Sequence, residues 1–344
     1  MAREYHVAIA GATGAVGAEF LRVLEGRDFP LASVRLLASE RSAGRDIRFR
    51  GRDHRVEVLS EGCFAGCDIA FFSAGSSRSH AFAPEAVRAG ALVIDNSSAY
   101  RMDPDTPLVV PEVNPEDIDW HRGIVANPNC STIILLMALA PLRKLGKLRR
   151  VVVSTYQAAS GAGARAMEEL LDQTACVLRK DPVTPVVFPH PIAFNLFSHN
   201  SSIDETGYNE EERKMIAEAK KILHDDALKV TATCVRVPVI RAHSESINVE
   251  FEGGRPSLNA VREALHVFPG VALVDDVEHN HFPMPIEATG RDEVLVGRIR
   301  NDLSNENAID LFVSGDQILK GAALNGYQIA LEWIRRGCPP GSAR

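Results

Sequence analysis

One cysteine stands among residues that suit a reactive thiol better than a core side chain. Cys130 lies in the run Asn-Pro-Asn-Cys-Ser-Thr of residues 127–132, directly ahead of an apolar stretch with helical spacing. A thiol at a helix N-terminus feels the positive end of the helix dipole, which favours the nucleophilic thiolate. The alternative is a small core residue, which is what most free cysteines are. The polar turn favours a nucleophile and covalent chemistry through a thioester.

A second feature, near the start of the chain, indicates a dinucleotide. Residues 5–10 predict a short buried strand, and Gly-Ala-Thr-Gly-Ala-Val-Gly at 11–17 leads from it into an amphipathic helix. In this context glycines let the backbone approach a pyrophosphate at the helix N-terminus. The spacing is a variant of the usual fingerprint, and a tight turn without a ligand is the alternative. Together with Cys130, the turn predicts a dehydrogenase that moves hydride with a bound dinucleotide.

The elements that must position these two features change in character near residue 130. Before it, short buried strands alternate with helical stretches, which predicts a parallel, doubly wound α/β sheet of Rossmann type. After it, strands rich in β-branched residues outnumber helices, which predicts an α+β domain with a mixed, largely antiparallel sheet. Residues 181–209 carry four prolines and are expected to form a long ordered loop. After the first strand, we expect strands at 34–38, 69–73, 92–95, 124–127, 151–157, 234–240, 247–252, 271–274 and 294–300, and helices at 81–89, 131–144, 164–178, 210–223 and 316–336.

Composition limits the classes of function. The chain has 344 residues and a net charge of −7, with no basic stripe, so nucleic acid is not indicated. No apolar run is long enough to span a bilayer, no signal peptide is visible, and the six scattered cysteines suggest no disulfide framework, so a cytoplasmic location is expected. His279 and His281 lie near acidic residues, but a polar surface turn is favoured over a metal site, and no metal is expected.

Two further motifs complete a pattern that resembles a known family. Tyr-Gln-Ala-Ala-Ser-Gly-Ala-Gly occupies residues 156–163, and Arg-Val-Pro-Val-Ile-Arg-Ala-His occupies 236–243. With the glycine turn and the cysteine motif, the chain resembles the aspartate-β-semialdehyde dehydrogenases over nearly its whole length. The resemblance implies a homodimer that reversibly converts β-aspartyl phosphate and NADPH to aspartate semialdehyde, phosphate and NADP. That reaction feeds lysine, diaminopimelate, methionine and threonine synthesis.

The resemblance also implies domain bounds and catalytic roles. Residues 1–130, joined by a C-terminal helix within 316–344, would form the dinucleotide-binding domain, and residues 131–315 the catalytic and dimerisation domain. Cys130 would carry the acyl thioester, and His243 would be the general acid/base, since imidazole exchanges protons near neutral pH. Gln157 would orient the reacting carbonyl. A structural histidine and a turn glutamine are the alternatives.

The anionic substrate needs cations, and the resemblance supplies candidates. Arg236 would grip the α-carboxylate as a bidentate fork, while Arg101 and Lys214 would bind phosphate. Glu211 would hold the substrate amine, and Asn129 would also contact substrate. For Lys214 and Glu211 the alternative is a solvated face, because their helix is charged along much of its length.

Cofactor contacts are expected at two places. The backbone of the glycine turn would hold the pyrophosphate, and Arg41 and Ser42, after the second strand, would hold a 2′-phosphate and favour NADP, although Glu40 could serve NAD instead. Ser160 and Gly161 resemble nicotinamide contacts. Gln317 stands where the family commonly has Asn, and His190 where it often has Tyr. The expected glycine-turn contacts are Gly11, Thr13, Gly14, Ala15 and Val16.

Three other functions compete with this interpretation. N-acetyl-γ-glutamyl-phosphate reductase shares the two-domain plan and the cysteine, but its substrate lacks the free amine that Glu211 would bind. A cysteine acyl hydrolase would not need the glycine turn. A non-catalytic relative would be expected to lose the cysteine, the glutamine or the histidine, and all three are present.

Overall fold

The computed structural model describes residues 3–337, and these fall into two compact units. The first unit comprises the described residues up to Asn129 together with those from Ala322 onward, and the second runs from Cys130 to Gly321. Residues 316–321, predicted to belong to the first domain, therefore group with the second unit. Cys338 and the rest of 338–344 lie outside the described residues.

Fourteen strands and eight α-helices are present in the described part of the chain. The strands are β1 (Tyr5–Ala10), β2 (Leu31–Ala38), β3 (Asp46–Phe49), β4 (Arg52–Val58), β5 (Ile69–Phe72), β6 (Leu92–Asp95), β7 (Ile124–Ala126), β8 (Leu148–Gln157), β9 (Phe197–Ser198), β10 (Lys229–Arg236), β11 (His243–Phe251), β12 (Val271–Leu273), β13 (Val294–Asn301) and β14 (Ala308–Gly315). The helices are α1 (Ala15–Gly26), α2 (Ser76–Arg88), α3 (Cys130–Arg143), α4 (Ala164–Arg179), α5 (Glu210–Leu223), α6 (Leu258–His266), α7 (Pro285–Ala288) and α8 (Leu324–Arg335).

The first unit contains the predicted doubly wound sheet. Its strand order is β3-β4-β2-β1-β5-β6-β7, and every pair is parallel except β3 with β4. The order reverses at β1, which lies between β2 and β5, so the glycine turn that follows β1 sits at the topological switch point. The β3–β4 hairpin was not predicted, because its Arg, Asp and His side chains hide the strand pattern at an exposed sheet edge.

The last helix starts later than predicted. A π-helical turn covers Leu319–Ala323, and α8 begins only at Leu324. Asp316 explains the delay, because its Oδ1 accepts from the backbone N–H groups of Ile318 and Leu319 and so forms a local turn. Within the first unit α8 packs closely on α1, since a Cβ on Gly326 would lie 2.9 Å from the ring of Phe20.

The second unit contains the predicted mixed, largely antiparallel sheet. Its order is β12-β13-β14-β11-β8-β10-β9, with parallel pairs only at β12–β13 and β8–β10. The strand predicted at 234–240 was misplaced, because β10 runs from Lys229 to Arg236 and the chain then turns at Val237, Pro238 and Val239. Strands β9 and β14 and helices α6 and α7 were not predicted. In residues 3–337 no helix combines the length and apolarity needed to cross a membrane.

Candidate active site

Three predicted site residues meet in one row on the core-facing side of the second sheet. Arg236 on β10 and Gln157 on β8 are direct partners, and Ser244 on β11 pairs with Tyr156, which brings His243 next to Gln157. All three side chains are buried. The turn at 237–242 returns the chain from β10 to β11, so the Arg-x6-His spacing places both ends of the motif beside the same strand.

Cys130 is the first residue of α3, which begins one residue before the predicted start at 131, and its side chain is partly exposed. The next residue, Ser131, accepts a 2.7 Å hydrogen bond from Gln157 Nε2, which ties the start of α3 to the sheet. On the other side a Cβ on Gly321 would lie 2.9 Å from the Cβ of Cys130, so only glycine fits there without displacement. The thiol is thereby held at the positive end of a helix, where the thiolate is favoured.

His243 is fully enclosed and has a defined proton position. Its Nδ1 accepts a 3.0 Å hydrogen bond from the backbone N–H of Ala158, so the neutral ring carries its proton on Nε2. Burial, then the charge of Arg236, then His199 hold the pKa of His243 well below its usual 6.5. Ala242, directly before it, adopts a left-handed φ of 73°, a conformation that non-glycine residues rarely take outside functional sites.

The guanidinium of Arg236 is fixed from several sides. Its Nη1 donates to the carbonyl of Ala158 at 3.2 Å, and its Nη2 lies 2.9 Å from Nε2 of His199. The ring of Phe188 lies 5.9 Å away. Burial lowers the pKa of Arg236 and the nearby carboxylate of Glu211 opposes that shift, which keeps this strongly basic group charged.

Helix α5 contributes one predicted site residue, Glu211, that directly contacts Gln157. A reciprocal capping box between Asn209 and Glu212 fixes its start. Glu211 is buried, and its Oε1 accepts a 3.1 Å hydrogen bond from Gln157 Nε2. Lys214 instead pairs with Glu210 at 2.6 Å and is partly exposed. The structure thus brings Glu211 beside Gln157 and leaves Lys214 nearer the helix surface.

The predicted nicotinamide contacts of the second unit, Ser160, Gly161 and Gln317, lie near His243. Gly161 lies against the site, because a Cβ there would be 2.9 Å from Arg236 Nη1 and 3.1 Å from His243 Nε2. Gln317 accepts from the backbone N–H of Ala242 at 2.9 Å and donates to the hydroxyl of Ser160. The longer side chain at 317 therefore bridges the segments that carry the left-handed Ala242 and Ser160.

The glycine turn of the first unit has the geometry of a phosphate cradle. A Cβ on Gly11 would lie 2.3 Å from the carbonyl oxygen of Ser73, and one on Gly17 would lie 2.2 Å from that of Gly11. Gly11 also has a left-handed φ of 92°. Gly14 precedes α1 and has no side chain to cap the first N–H groups of the helix, which leaves the positive helix end open to an anion. Thr13 is exposed, and Ala15 and Val16, in the first turn of the helix, are half-buried.

Arg101 is buried in the first unit near the ends of β6 and β7. Its Nε donates to the carbonyl of Asn127 at 2.9 Å and its Nη2 to that of Asn96 at 3.1 Å. Asp95 at the end of β6 accepts from Ser79 and Ser97, yet burial still raises its pKa. Asn129 is buried and lies directly before Cys130 in the chain.

The segment after β2 presents Arg41 to solvent. Glu40 and Arg41 are both exposed, and Ser42 is buried in a turn in which its N–H donates to Ser39. Arg41 forms no ion pair within the described residues. Both the cation that suits a 2′-phosphate and the acid that suits a 2′-hydroxyl thus lie in this turn.

Comparison with known proteins decides the family. Residues 6–121 match the family described as "Semialdehyde dehydrogenase, NAD binding domain", and residues 139–320 match "Semialdehyde dehydrogenase, dimerisation domain". An aspartate-semialdehyde dehydrogenase of Synechocystis sp. is 52% identical over 96% of this chain and 98% of its own.

The chain belongs to the aspartate-semialdehyde dehydrogenase family.

Solved structures agree with this assignment. Aspartate semialdehyde dehydrogenase II of Vibrio cholerae, complexed with ASA, has a TM-score of 0.93 at 44% identity and covers 97% of this chain and 99% of its own. The enzyme of Candida albicans, solved with NADP, has a TM-score of 0.77 at 26% identity and covers 97% and 99%. The predicted family and fold class are confirmed, and the NAD-binding domain indicates a nicotinamide cofactor.

Several residues of this aspartate-semialdehyde dehydrogenase family member were missed in the sequence. Ser131, His199 and Ser201 contact predicted site residues, and Arg241 forms a partly buried 2.7 Å ion pair with Asp316 that holds the turn before His243. His199 and Ser201 lie in an irregular segment without periodicity, so nothing local marks them.

The two histidines weighed as metal ligands have other partners. His279 contacts Asp276 at 2.7 Å, and His281 contacts Glu287 at 2.8 Å. In the described part of the chain no group of three or more His, Cys, Asp or Glu could hold a metal ion.

Proposed function

We propose that the protein converts β-aspartyl phosphate and NADPH to aspartate semialdehyde, phosphate and NADP, reversibly, through a thioester on Cys130. It would act as a cytoplasmic homodimer in lysine, diaminopimelate, methionine and threonine synthesis. The proposal rests on one observation above all. Arg236, Gln157 and His243 share a row of the second sheet, and Gln157 reaches Ser131, next to the Cys130 thiol that opens α3.

The first step is acyl transfer to sulfur. The Cys130 thiolate attacks the acyl carbon of β-aspartyl phosphate, so that a C–S bond forms as the C–O bond to phosphate breaks, and phosphate leaves with the electron pair. Arg236 holds the α-carboxylate, and Glu211, kept in place by Gln157 Nε2, holds the amine. Arg101 and Lys214 neutralise the phosphate.

The second step reduces the thioester. NADPH, when bound, supplies a hydride to the thioester carbon. His243 donates a hydrogen bond from Nε2 to the carbonyl oxygen on which negative charge develops. Its Nδ1 accepts from the backbone N–H of Ala158, which selects the tautomer that is protonated on Nε2. Gln157 orients the same carbonyl region. The tetrahedral oxyanion then collapses, its C–S bond breaks with the electron pair on sulfur, and the aldehyde and the Cys130 thiolate are released.

The proposed domain roles follow the same division. The domain of residues 1–130 with the C-terminal helix binds the dinucleotide, because the two glycines whose Cβ atoms would collide form a cradle for its pyrophosphate. Gly11, Thr13, Gly14, Ala15 and Val16 supply that cradle. Residues 131–315 form the catalytic and dimerisation domain, and Ser160, Gly161 and Gln317 are the proposed nicotinamide contacts. The family description of residues 139–320 as a dimerisation domain supports a homodimer, which light scattering after size exclusion would test.

Arg41 and Ser42 favour NADP over NAD. The exposed guanidinium of Arg41 can form charge-assisted hydrogen bonds with a 2′-phosphate that NAD lacks, and the Candida albicans relative was solved with NADP. Glu40 opposes this preference. Arg41→Ala should weaken NADP affinity and leave NAD turnover nearly unchanged, as kcat/KM for both cofactors would report. Equal use of the two cofactors by the wild type would overturn the assignment.

A spectrophotometric assay tests the proposed reaction. Aspartate semialdehyde, phosphate and NADP should together give continuous formation of NADPH, and omission of phosphate should stop steady turnover. N-acetylglutamate semialdehyde serves as the matched alternative substrate and should be poor, because its amine is blocked. Faster turnover of that compound would assign the reductase activity instead, and the absence of any nicotinamide signal would overturn the proposed dehydrogenase activity in favour of a hydrolase.

A further inference from the structure

His199 lies directly beyond β9 and contacts the proposed carboxylate-binding arginine. Its backbone N–H donates to the carbonyl of Cys234 at 2.8 Å, which anchors it to β10 two residues before Arg236. Its Nε2 lies 2.9 Å from Nη2 of Arg236, and its Nδ1 lies 3.1 Å from Oγ of Ser201. The ring therefore stands between a strand residue and an irregular loop.

The partner on each side fixes the protonation state of the ring. A guanidinium can only donate, so Nε2 of His199 must present its lone pair to Arg236. The neutral ring then carries its proton on Nδ1 and donates it to Ser201 Oγ. In that tautomer the 3.3 Å approach of the Ser201 backbone N–H to Nδ1 is not a hydrogen bond. A ring protonated on both nitrogens would set a cation against Arg236.

Ser201 carries the connection to the proposed amine-binding residue. Its Oγ accepts from the backbone N–H of Glu211 at 3.2 Å, in the first turn of α5. The carboxylate of Glu211 in turn accepts from Gln157. A hydrogen-bonded path thus runs from the Arg236 guanidinium through His199 and Ser201 to the backbone N–H of Glu211. The side chains of its two end residues carry opposite charges.

We propose that His199 is a positioning residue that sets the separation between the Arg236 guanidinium and the Glu211 carboxylate, and so selects substrates with both an α-carboxylate and an α-amine. This inference rests on the proposed function. The zwitterionic end of an α-amino acid presents those two charges on one carbon, so recognition of both depends on the spacing of their partners. Gln157 fixes the carboxylate of Glu211 and is the strand partner of Arg236, whereas the His199–Ser201 path contacts the Arg236 guanidinium itself and reaches the first turn of α5.

The charges around the ring support a neutral His199. Burial and the charge of Arg236 on β10 lower its pKa to about 4, Lys214 on α5 acts in the same direction, and Glu210 and Glu211 on that helix oppose them. His243 across the site is neutral for similar reasons. The acceptor at Nε2 is therefore available at neutral pH.

Two substitutions separate the two contacts of the ring. His199→Gln retains an acceptor at the Nε2 position for Arg236 but has no donor at the Nδ1 position. His199→Asn retains a donor for Ser201 but does not reach Arg236. Ser201→Ala removes the middle link and serves as a second route should a His199 variant not fold. His279→Asn, at an exposed histidine, is the matched control.

Each enzyme is assayed with aspartate semialdehyde and with succinate semialdehyde, which lacks the amine. His199→Asn should raise KM for both aldehydes roughly tenfold, because a hydrogen bond that orders a charged group is lost. His199→Gln and Ser201→Ala should keep KM for succinate semialdehyde and reduce the preference for the amine-bearing aldehyde by roughly threefold or more. The KM for phosphate and the melting temperature should stay at wild-type values.

The outcomes separate this inference from the function on which it rests. Unchanged aldehyde KM and preference in all three variants would overturn it while the wild type remains active. A uniform loss that includes the phosphate KM and the melting temperature would also overturn it, since it would indicate a merely structural role. A wild type that turns over neither aldehyde removes the proposed function and this inference together.

Discussion

The two seven-stranded sheets use polar groups in opposite ways. In the first unit the central strand β5 is wholly apolar, and the features that suit a dinucleotide are backbone features at a strand end, such as the turn from Gly11 to Gly17. In the second unit Arg236, Gln157 and His243 project from the strands themselves into the core. Backbone geometry depends on local glycines, whereas a row of side chains depends on the register between strands that are far apart in sequence.

The second sheet also carries a second row of polar side chains next to the row that contains Arg236, Gln157 and His243. Glu245 pairs with Thr155, which pairs with Cys234, so these residues lie two positions along their strands from His243, Gln157 and Arg236. Both carboxyl oxygens of Glu245 are buried without a hydrogen-bond partner among the described residues. Burial holds the pKa of Glu245 well above its usual 4.5. The unit that carries the proposed chemistry therefore contains groups that oppose folding.

The largest effect expected from this contrast is at Cys130. Cys130→Ala should abolish turnover, because no other group can form the thioester, while affinity for NADPH and the melting temperature stay near wild type, since the glycine turn is unaltered. Turnover, fluorescence of bound NADPH and thermal unfolding measure the three quantities. Cys176→Ala, at a partly exposed thiol on α4, is the control and should be fully active. Substantial residual turnover in Cys130→Ala would end the covalent mechanism.

The next effect is at His243. His243→Asn should lower kcat by roughly 10²–10⁴ through loss of the acid/base group, with little change in cofactor affinity. Because its pKa is held well below 6.5, the folded wild type should not lose kcat through protonation of this ring between pH 7 and 6. His190→Asn, in an exposed ring that packs on Phe197, is the control. An intact kcat in His243→Asn would make the histidine structural.

Substitutions of the cations should divide the two anionic groups of the substrates. Arg236→Leu should raise KM for aspartate semialdehyde, since loss of a charge-assisted fork costs on the order of 2–4 kcal/mol. Arg101→Leu and Lys214→Leu should instead raise KM for phosphate. Arg213→Leu, on the same helix as Lys214 but paired with Asp204, is the control. Equal phosphate KM in all four variants would contradict the assignment of Arg101 and Lys214.

The last effect concerns stability rather than rate. Because burial raises the pKa of Glu245 in the folded chain well above its usual 4.5, the folded chain binds this proton more tightly than the unfolded chain does, and rising pH above 4.5 favours unfolding. Glu245→Gln removes this linkage. The variant should gain on the wild type by up to about 1.4 kcal/mol per pH unit above pH 4.5. Denaturant unfolding at pH 5 and pH 8 measures the gain, and an equal difference at both values would show that Glu245 does not titrate this way.

The same contrast explains what could be predicted from the sequence. The glycine turn and α5 depend on neighbouring residues, and the structure has β1 and α5 at the predicted bounds. Gln157, Arg236 and His243 were identified only through family resemblance, because no local pattern reveals which strands pair in a mixed sheet. The β3–β4 hairpin and β10 were missed or misplaced where charged or polar residues obscure the alternation. His199 acts through contacts across the fold, which periodicity does not report.

A single-turnover measurement tests the central claim, the acyl thioester on Cys130. The enzyme would be mixed with aspartate semialdehyde and NADP in the absence of phosphate, and NADPH and intact protein mass would be followed together. A thioester on Cys130 predicts a burst of NADPH that approaches one equivalent per active site and an aspartyl adduct on the peptide that contains Cys130. Added phosphate should discharge the adduct as β-aspartyl phosphate and start continuous NADPH formation. No burst without phosphate, or an adduct on any other residue, would contradict it.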